Sequence, residues 1–288
     1  MGKLACLVAL LVADLLAQAS RPAAVSLPGW VQHHADIAYD QYPETVLDIL
    51  QPKTAAVRKR PGVIVIHGGG WVGGNREGML KNFCLPYLEK GFVVANVEYR
   101  LAKAATAPAA VTDVLNAARW FRRNGGRYGV DTRRIVVTGG SAGGHLALMV
   151  GLTPKSARLG PPAKVAAVIN FYGITDVADQ LAGPNMREYA VTWVPEQEGR
   201  LELARRVSPM TYVRRNVPAV LTIHGDADPT VPYEHGFRLT KALRDAGADA
   251  ELISIRDGKH GGFGEEQMAR IYQDIFRFLQ ARRIVQEQ

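Results

Sequence analysis

The sequence predicts an α/β fold, a mostly parallel central sheet flanked by helices, with a small helical insertion near residues 174–210. Two observations predict it. Short apolar runs rich in Val and Ile alternate with amphipathic stretches along the chain, as strands and helices do in parallel sheets. The 288 residues, with 47% hydrophobic and 22% charged side chains, suit a globular chain with a large core.

The first half of the chain predicts an antiparallel edge followed by buried strands. Residues 20–36 are predicted to form an irregular lead-in. Apolar and polar residues alternate in DIAYD and TVLDILQP, as in half-buried antiparallel strands. Uninterrupted apolar runs predict strands buried on both faces. These runs are GVIVIHGGG, FVVANVEYR and RRIVVTGG, and the helices between them are MLKNFCLPYLEKG and PAAVTDVLNAARWFRRNGGRYG.

The second half continues the alternation and ends on a helix. Its predicted strands are VAAVINFYG, PAVLTIHGD and AELISIRDG, and its predicted helices are AGGHLALMVGL, YEHGFRLTKALRDAG and EQMARIYQDIFRFLQARR. Residues 174–210 interrupt this rhythm, because they are too long for a tight connection between a strand and a helix. We interpret them as a small helical insertion that could cover a site.

The N-terminus, MGKLACLVALLVADLLAQAS, is typical of a secretory signal peptide. Lys3 precedes an apolar run, and Ala17-Gln18-Ala19 fits a cleavage site. We therefore expect a signal peptide over 1–19, an α/β domain over 20–288, and a secreted or periplasmic protein without stable membrane association after cleavage. Asp14 interrupts the apolar run, so an uncleaved anchor is the competing interpretation.

The net charge of +8 and the pI near 9.6 raise the question of nucleic-acid binding. The basic residues occur as scattered pairs such as Arg122-Arg123 and Arg133-Arg134, without interleaved aromatic residues or a zinc-finger spacing. A solvated, Arg-rich surface is the better interpretation. We therefore expect no nucleic-acid partner, and the sequence leaves the oligomeric state open.

Ser141 lies in Gly139-Gly140-Ser141-Ala142-Gly143, a G-x-S-x-G motif between a predicted strand and a predicted helix. This context is typical of a nucleophile elbow, a sharp turn that exposes the serine hydroxyl. The flanking glycines remove Cβ atoms that would collide with the strand and the helix. The helix that follows favours a developing negative charge near its N-terminus. We therefore predict that Ser141 is a nucleophile.

A serine nucleophile needs a base, and the base needs a carboxylate that orients it. In folds with such a nucleophile elbow, the acid follows the serine along the chain and the histidine comes last. The predicted strand PAVLTIHGD ends in Asp226, Asp228 comes two residues later, and either could be the acid. His260 follows the last strand in the loop RDGKHGGFG and is the predicted base. His67 and His224 are predicted to stabilise loops.

The segment HGGGW at residues 67–71 follows a buried strand and predicts an oxyanion hole, because glycines let backbone N–H groups approach a reacting carbonyl. The amide of Ala142, directly after the nucleophile, is a further donor. The rival interpretation is a dinucleotide loop, since Gly68, Gly70 and Gly73 match G-x-G-x-x-G and Glu98 ends the next strand. That interpretation leaves Ser141 and His260 unexplained.

The remaining candidates are weaker. His33, His34 and Asp36 lie close in sequence, but nothing completes a metal-ligand set, so no metal and no cofactor are predicted. His235 is expected on a surface helix. Four aromatic residues could line an acyl or sugar pocket or could belong to the core: Trp71, Phe171, Tyr172 and Trp193. Trp71 and Tyr172 are retained as candidate substrate-binding residues.

Taken together, HGGGW, YRLA, GGSAGGHLA, HGDADPTVP and GKHGGFG resemble the α/β-hydrolase superfamily. The resemblance covers nearly all of residues 20–288. It is to the esterase/lipase branch near the hormone-sensitive-lipase family, and most of all to the bacterial group of acetyl-xylan and feruloyl esterases. Two departures, Gly140 directly before Ser141 and YRLAKA in place of YRLAPE, favour the xylan-esterase-like group over lipases.

The resemblance implies a role for each matching residue. It implies that Ser141 is the nucleophile, that His260 is the base and that Asp228, rather than Asp226, is the acid. It also implies an oxyanion hole formed by backbone N–H groups of three residues: Gly69, Gly70 and Ala142. The implied reaction is hydrolysis of short acyl esters, such as acetyl or feruloyl groups on plant polysaccharide.

The expected partner is accordingly a small-molecule or oligosaccharide ester. Within enzymes, the alternatives are an arylformamidase-like amidase and a short-chain lipase. Outside enzymes, the alternative is a hydrolase-like binding module that has lost catalysis. Such modules usually lack a triad member, and candidates for all three members are present here.

Overall fold

The computed structural model describes residues 27–285, so the predicted signal peptide over 1–19 lies outside the described residues. Eight strands form one sheet in the order β1-β2-β4-β3-β5-β6-β7-β8. They are β1 (Val31–Ala38), β2 (Val46–Pro52), β3 (Arg60–Ile66), β4 (Val93–Val97), β5 (Val130–Gly140), β6 (Ala167–Phe171), β7 (Ala219–Gly225) and β8 (Ala250–Ile255).

The sheet combines an antiparallel edge with a parallel body. β1 pairs antiparallel with β2, and β2 pairs antiparallel with β4. From β4 onward every pairing is parallel. The carboxyl ends of the parallel strands therefore meet at one edge of the sheet, where the loops after β3, β5, β6, β7 and β8 lie side by side.

Seven α-helices accompany the sheet. They are α1 (Leu85–Glu89), α2 (Ala109–Asn124), α3 (Ala142–Leu152), α4 (Glu188–Trp193), α5 (Arg200–Arg206), α6 (Glu234–Asp245) and α7 (Glu265–Ala281). Together with the mostly parallel sheet, they confirm the predicted fold class. Residues 174–210 contain α4, α5 and short 3₁₀ turns, which confirms the predicted helical insertion.

The sheet separates two apolar layers because successive strand side chains point to opposite faces. On one face, Ile64 and Ile66 of β3 pack in the same cluster as Leu148 of α3. On the other face, Val65 of β3 shares a cluster with Ile275 of α7. The parallel strands are buried on both faces, as their uninterrupted apolar runs predict.

Two predictions about local structure were wrong. β1 begins at Val31, inside the segment predicted to be an irregular lead-in, because Val31 pairs with Pro52 in the sheet. His235 was expected on a surface but is 5% exposed, since its Nε2 contacts the Asp179 carboxylate at 3.1 Å and its Nδ1 accepts the Thr175 N–H.

Among the helices of residues 27–285, none is both long enough and apolar enough to cross a bilayer.

Candidate active site

Ser141 occupies the sharp turn between β5 and α3. Its backbone has φ 58° and ψ −122°, a region that is unfavourable for residues with a side chain. The surrounding glycines make the turn possible. A Cβ at Gly139 or Gly143 would lie 2.5 Å or 2.2 Å from the carbonyl oxygen of Ile66. The elbow therefore packs directly on the backbone of β3, and only glycine fits at these two positions.

His260 lies in the loop after β8 and reaches Ser141 across the carboxyl edge of the sheet. Its Nε2 is 2.8 Å from Ser141 Oγ, and its Nδ1 is 2.7 Å from Asp228 Oδ2. The structure thus brings together the three residues predicted as nucleophile, base and acid. They are separated in sequence by 87 and 32 positions, and the loops after β5, β7 and β8 supply one residue each.

Asp228 is held as a carboxylate. Its Oδ1 accepts the N–H groups of Thr230 and Val231 at 2.8 and 3.0 Å. Burial by itself raises the pKa of Asp228, but hydrogen bonds from His224 and His260 outweigh burial and lower that pKa well below its usual range. Because an ionised carboxylate only accepts, His260 Nδ1 carries a proton, and Nε2 is left to accept the hydroxyl proton of Ser141.

Asp226, the other candidate acid, has a different task. Its Oδ1 accepts the N–H of Asp257 at 2.6 Å. This contact closes the turn that leads toward His260. Both aspartates follow β7, so their positions in the sequence do not distinguish them. Their contacts do: Asp228 contacts the ring of His260, and Asp226 contacts the loop backbone at Asp257.

The glycine loop after β3 lies against the elbow. A Cβ at Gly68 would lie 2.7 Å from Gly140 O and 3.5 Å from Ser141 Cβ. Gly69 and Gly70 have φ values of +112° and +60°, where residues with a side chain are strained. The loop thus follows a backbone path available to glycine, and it brings main-chain groups to the serine.

The third predicted donor belongs to Ala142, the first residue of α3. The N–H groups of the first helical turn have no intrahelical acceptor. The Ala142 N–H follows the Ser141 carbonyl directly in the chain and is free of an acceptor within α3. Gly68 of the glycine loop and Ala142 at the start of α3 therefore border Ser141 from two sides, and Gly69 and Gly70 follow Gly68 directly in the chain.

A buried histidine fixes the glycine loop. His67 is 1% exposed, its Nδ1 is 2.8 Å from the carbonyl oxygen of Gly68, and its Nε2 is 2.7 Å from Glu98 Oε1. The ring is thus held between the Gly68 carbonyl and the Glu98 carboxylate. Because the peptide bond is planar and trans, fixing the Gly68 carbonyl also fixes the opposite direction of the Gly69 N–H.

The helical insertion connects two of the loops that form the site. The Tyr189 ring lies over the glycine loop, where a Cβ at Gly70 would come within 2.7 Å of it. Arg187 donates to the carbonyl oxygens of Pro229 and Thr230, directly after Asp228. The insertion therefore braces the glycine loop and the acid loop against each other.

The two aromatic residues predicted to bind substrate lie in different environments. Trp71 is fully buried, stacks on Trp193 at 4.2 Å and donates its indole N–H to His145 at 3.1 Å. The prediction that its ring contacts substrate does not fit this position, because its apolar face is already covered by the core. Trp193 is likewise buried, and Phe171 is 1% exposed.

Tyr172, in contrast, lies beside the site. It follows β6 with φ 40°, and its ring packs edge-on against the His260 ring with centroids 4.8 Å apart. Burial, and then the nearby Asp228 charge, raise the pKa of Tyr172 to about 12. The phenol is therefore neutral near pH 7, so it can donate a hydrogen bond.

Sequence reasoning missed three residues of the site: Glu98, Arg187 and Tyr189. The sequence interpretation considers Glu98 only as the ribose-binding acid of a dinucleotide loop. Its position at the end of the strand next to HGGGW nevertheless places it beside His67. Arg187 and Tyr189 lie in the insertion, and no local pattern reveals which loops an insertion contacts.

Within residues 27–285, no three His, Cys, Asp or Glu side chains are grouped closely enough to bind a metal ion.

Comparisons with known proteins show which family the chain belongs to. The BD-FAE family model matches residues 47–243, a span that includes Ser141 and Asp228. Esterase LipQ of Mycobacterium tuberculosis is 31% identical over 232 residues, covering 76% of this chain and 54% of LipQ. Esterase LipC of the same organism is 30% identical over 222 residues, covering 74% of this chain and 55% of LipC. The chain thus spans about half the length of each.

A solved structure, described as a truncated form of carbohydrate esterase from gut microbiota, superposes with a TM-score of 0.75 and 27% sequence identity. The superposition covers 87% of this chain and 96% of that one.

Proposed function

The chain belongs to the BD-FAE family, in the esterase/lipase branch of the α/β-hydrolases, and on that premise we propose that it hydrolyses carboxylic esters through a serine acyl-enzyme. One observation carries the proposal. Ser141 sits on a strained elbow with its Oγ 2.8 Å from His260 Nε2. A strained residue placed in hydrogen-bond contact with a base is the arrangement that activates a hydroxyl.

In the first half-reaction, His260 takes the Ser141 proton while Oγ attacks the acyl carbon. The tetrahedral intermediate collapses, the bond to the alcohol oxygen breaks, and His260 gives its proton to that leaving oxygen. Asp228 holds the Nδ1–H tautomer and stabilises the imidazolium. In the second half-reaction, His260 takes a proton from a water molecule, whose oxygen attacks the acyl carbon. The bond from that carbon to Ser141 Oγ then breaks, His260 returns the proton to Oγ, and the acid leaves, so the enzyme is regenerated with one water consumed.

The oxyanion of the intermediate is proposed to be bound by the N–H groups of Gly69, Gly70 and Ala142. These donors are attached to backbone that is already fixed: the glycine loop by His67, Glu98 and the covering Tyr189 ring, and Ala142 by α3. Donors that do not reorganise during the reaction stabilise developing charge most effectively.

The proposed substrates are short acyl esters, with acetyl or feruloyl groups on plant polysaccharide as the leading class. The similarity to a carbohydrate esterase and the sequence departures from lipases support this class. Tyr172, next to His260, is the proposed substrate-contacting residue. Its neutral phenol, packed beside the His260 ring, suits hydrogen bonding to a hydroxylated alcohol such as a sugar.

We also propose that the chain is exported and cleaved after Ala19. N-terminal sequencing of protein recovered from culture medium or periplasm tests this directly. An intact Met1 on the exported protein would contradict cleavage.

The test of function is a substrate panel with a matched variant. Wild type and Ser141→Ala are assayed on p-nitrophenyl esters from acetate to palmitate, on acetylated xylan, and on N-formylkynurenine. We expect acetate and acetylated xylan to be turned over fastest by wild type, with loss of activity in Ser141→Ala.

The other outcomes separate the alternatives. Preference for N-formylkynurenine would indicate an arylformamidase-like amidase, and preference for palmitate would indicate a lipase. Folded wild type that turns over none of the panel would indicate a binding module. Activity that persists in Ser141→Ala would overturn the serine mechanism.

A further inference from the structure

One end of the molecule carries a surface that we call the basic face. It consists of Arg58, Lys59, Arg60, Arg127, Arg133 and Arg134, which line two neighbouring cavities. Arg60 begins β3 and pairs with Val130 at the start of β5, so the face lies at the amino ends of the parallel strands. The sequence distributes these cations as separate pairs, and the fold gathers them.

The positive charge of the basic face is largely uncompensated. Within residues 27–285, Asp131 is the one acidic residue that lines either cavity. Its carboxylate contacts Arg133 at 3.2 Å and Arg134 at 3.1 Å. The guanidinium of Arg60 donates instead to the neutral carbonyls of Thr54 and Gly91. One carboxylate therefore faces eight cations, the six of the basic face together with Lys53 and Arg283, which line the same cavities.

Apolar side chains project from the same end. Val57 is completely exposed and lines the same cavity as Arg58. Trp30 is 39% exposed, and its carbonyl accepts the Lys53 N–H at 2.9 Å just before β1 begins. Exposed aromatic and aliphatic residues surrounded by cations are typical of surfaces that rest on a lipid headgroup layer.

The basic face and the candidate active site point in opposite directions. Arg60, on the basic face, and Ile66, whose carbonyl packs against the elbow, lie at opposite ends of β3, six residues apart, which is roughly 20 Å at the rise of an extended chain. A flat partner on the basic face would therefore leave the site open to solvent. A polymeric substrate held there would instead be far from Ser141.

We propose that the basic face docks the protein on the surface of an anionic phospholipid membrane, with the active site facing away. Charge complementarity supplies the attraction, and Val57 and Trp30 favour a lipid surface over a wholly polar polyanion, because only a membrane offers an apolar layer beneath its charges. The association is peripheral and reversible by salt. It therefore differs from stable membrane association, which is not expected after cleavage of the signal peptide.

The test is co-sedimentation of the purified full-length chain with vesicles of phosphatidylcholine alone or mixed with phosphatidylglycerol. The basic-face variant carries Arg58→Glu, Lys59→Glu and Arg133→Glu. The matched control carries Arg205→Glu, Arg238→Glu and Lys241→Glu, which change the net charge equally and lie on neither cavity. Residues 1–26 are identical in all three proteins, so their contribution is the same in each.

We expect wild type and the control to prefer phosphatidylglycerol vesicles, and the basic-face variant to bind them at least about tenfold more weakly. Raising the ionic strength from about 0.1 M to about 1 M shortens the screening length to about 3 Å and should release wild type. Val57→Ser should weaken binding, while Phe237→Ser, at another exposed apolar residue, should not. Ester hydrolysis in solution should be unchanged in every variant.

Three results would overturn the proposal. The first is equal binding of wild type to the two kinds of vesicle. The second is equal loss of binding in the basic-face and control variants. The third is tighter binding of an acidic polysaccharide than of vesicles through the same residues, which would assign the face to a carbohydrate polyanion.

Discussion

Two histidine–carboxylate pairs flank Ser141, and they differ in what the second ring nitrogen contacts. His260 binds Asp228 and His67 binds Glu98, and the nitrogen–oxygen distance is 2.7 Å in both pairs. The free nitrogen of His260 faces the Ser141 hydroxyl at 2.8 Å. The corresponding nitrogen of His67 faces a carbonyl oxygen at the same distance. A hydroxyl can give up a proton, whereas a carbonyl can only accept a hydrogen bond.

Burial reinforces the difference. The His260 side chain is 20% exposed and the His67 side chain 1%. The His260 ring can therefore meet water and a leaving group, while the His67 ring is sealed beneath the glycine loop. A short histidine–carboxylate contact does not by itself identify a base. The third partner suits His260 to the proposed proton transfer and His67 to holding the backbone.

The largest expected effect comes from removing the ring that exchanges protons. His260→Ala should lower kcat by more than about 10⁴-fold, because Ser141 loses its base. Added imidazole should restore part of the activity, since the His260 position is open to solvent. Steady-state rates on p-nitrophenyl acetate with and without imidazole measure this.

His67→Ala is the matched control, because its ring lies in a closed site that imidazole cannot enter. Restoration of His67→Ala by imidazole, or none in a folded His260→Ala, would remove the distinction between the two histidines.

The next effect tests the acid partner. Asp228→Asn should lower kcat by about 10⁴-fold, because an amide can donate to Nδ1 and favour the wrong tautomer of His260. Asp226→Asn, two residues away, should lower kcat by less than about tenfold, since Asp226 contacts only the backbone of Asp257. Equal losses in the two variants would show that the loop as a whole, rather than the Asp228 carboxylate, supports activity.

The partner of the buried histidine should matter less. Glu98→Gln should lower kcat by about 10²-fold, the usual result of impairing one oxyanion donor, while KM changes by less than about threefold. The neutral carboxamide pairs less tightly with the His67 ring than the Glu98 carboxylate does, so the Gly68–Gly69 peptide loses its fixed orientation. A change confined to KM would show that the pair shapes substrate binding rather than the oxyanion hole.

Much of this architecture could be predicted from the sequence. The parallel sheet follows from uninterrupted apolar runs, and the Ser141 turn follows from glycines placed between a strand and a helix. The catalytic roles of Ser141, Asp228 and His260 stay predictions. That their side chains lie close together could be expected, because parallel strands of one sheet have their carboxyl ends at the same edge. Local pattern and topology together carry this part of the site.

Contacts made by side chains from distant segments could not be predicted in the same way. Trp71 follows the glycine loop and therefore looks like a pocket residue, yet a stack with Trp193 buries it. The partner of Trp71 lies 122 positions away in the insertion, whose packing no periodicity encodes. The position of Glu98 at the end of a strand could be predicted, but its partner could not, because a carboxylate there can bind a ribose or a histidine equally well.

The smallest expected effect is on stability, and it concerns the Asp228 pair alone. The folded state lowers the pKa of Asp228, so the ionised carboxylate stabilises the fold. That contribution is complete above the unfolded pKa, about 3.9, and declines as the pH falls below it. The stability advantage of wild type over Asp228→Asn should therefore stay constant from pH 6 to about pH 4 and shrink below about pH 4, by up to about 1.4 kcal/mol per pH unit.

Urea unfolding of both proteins across this pH range measures the difference. Other carboxylates titrate equally in the two proteins and cancel. A stability advantage that stays constant with pH would mean that the charge of Asp228 does not stabilise the folded state. The His260–Asp228 pair, like the His67–Glu98 pair, would then be chiefly a structural contact.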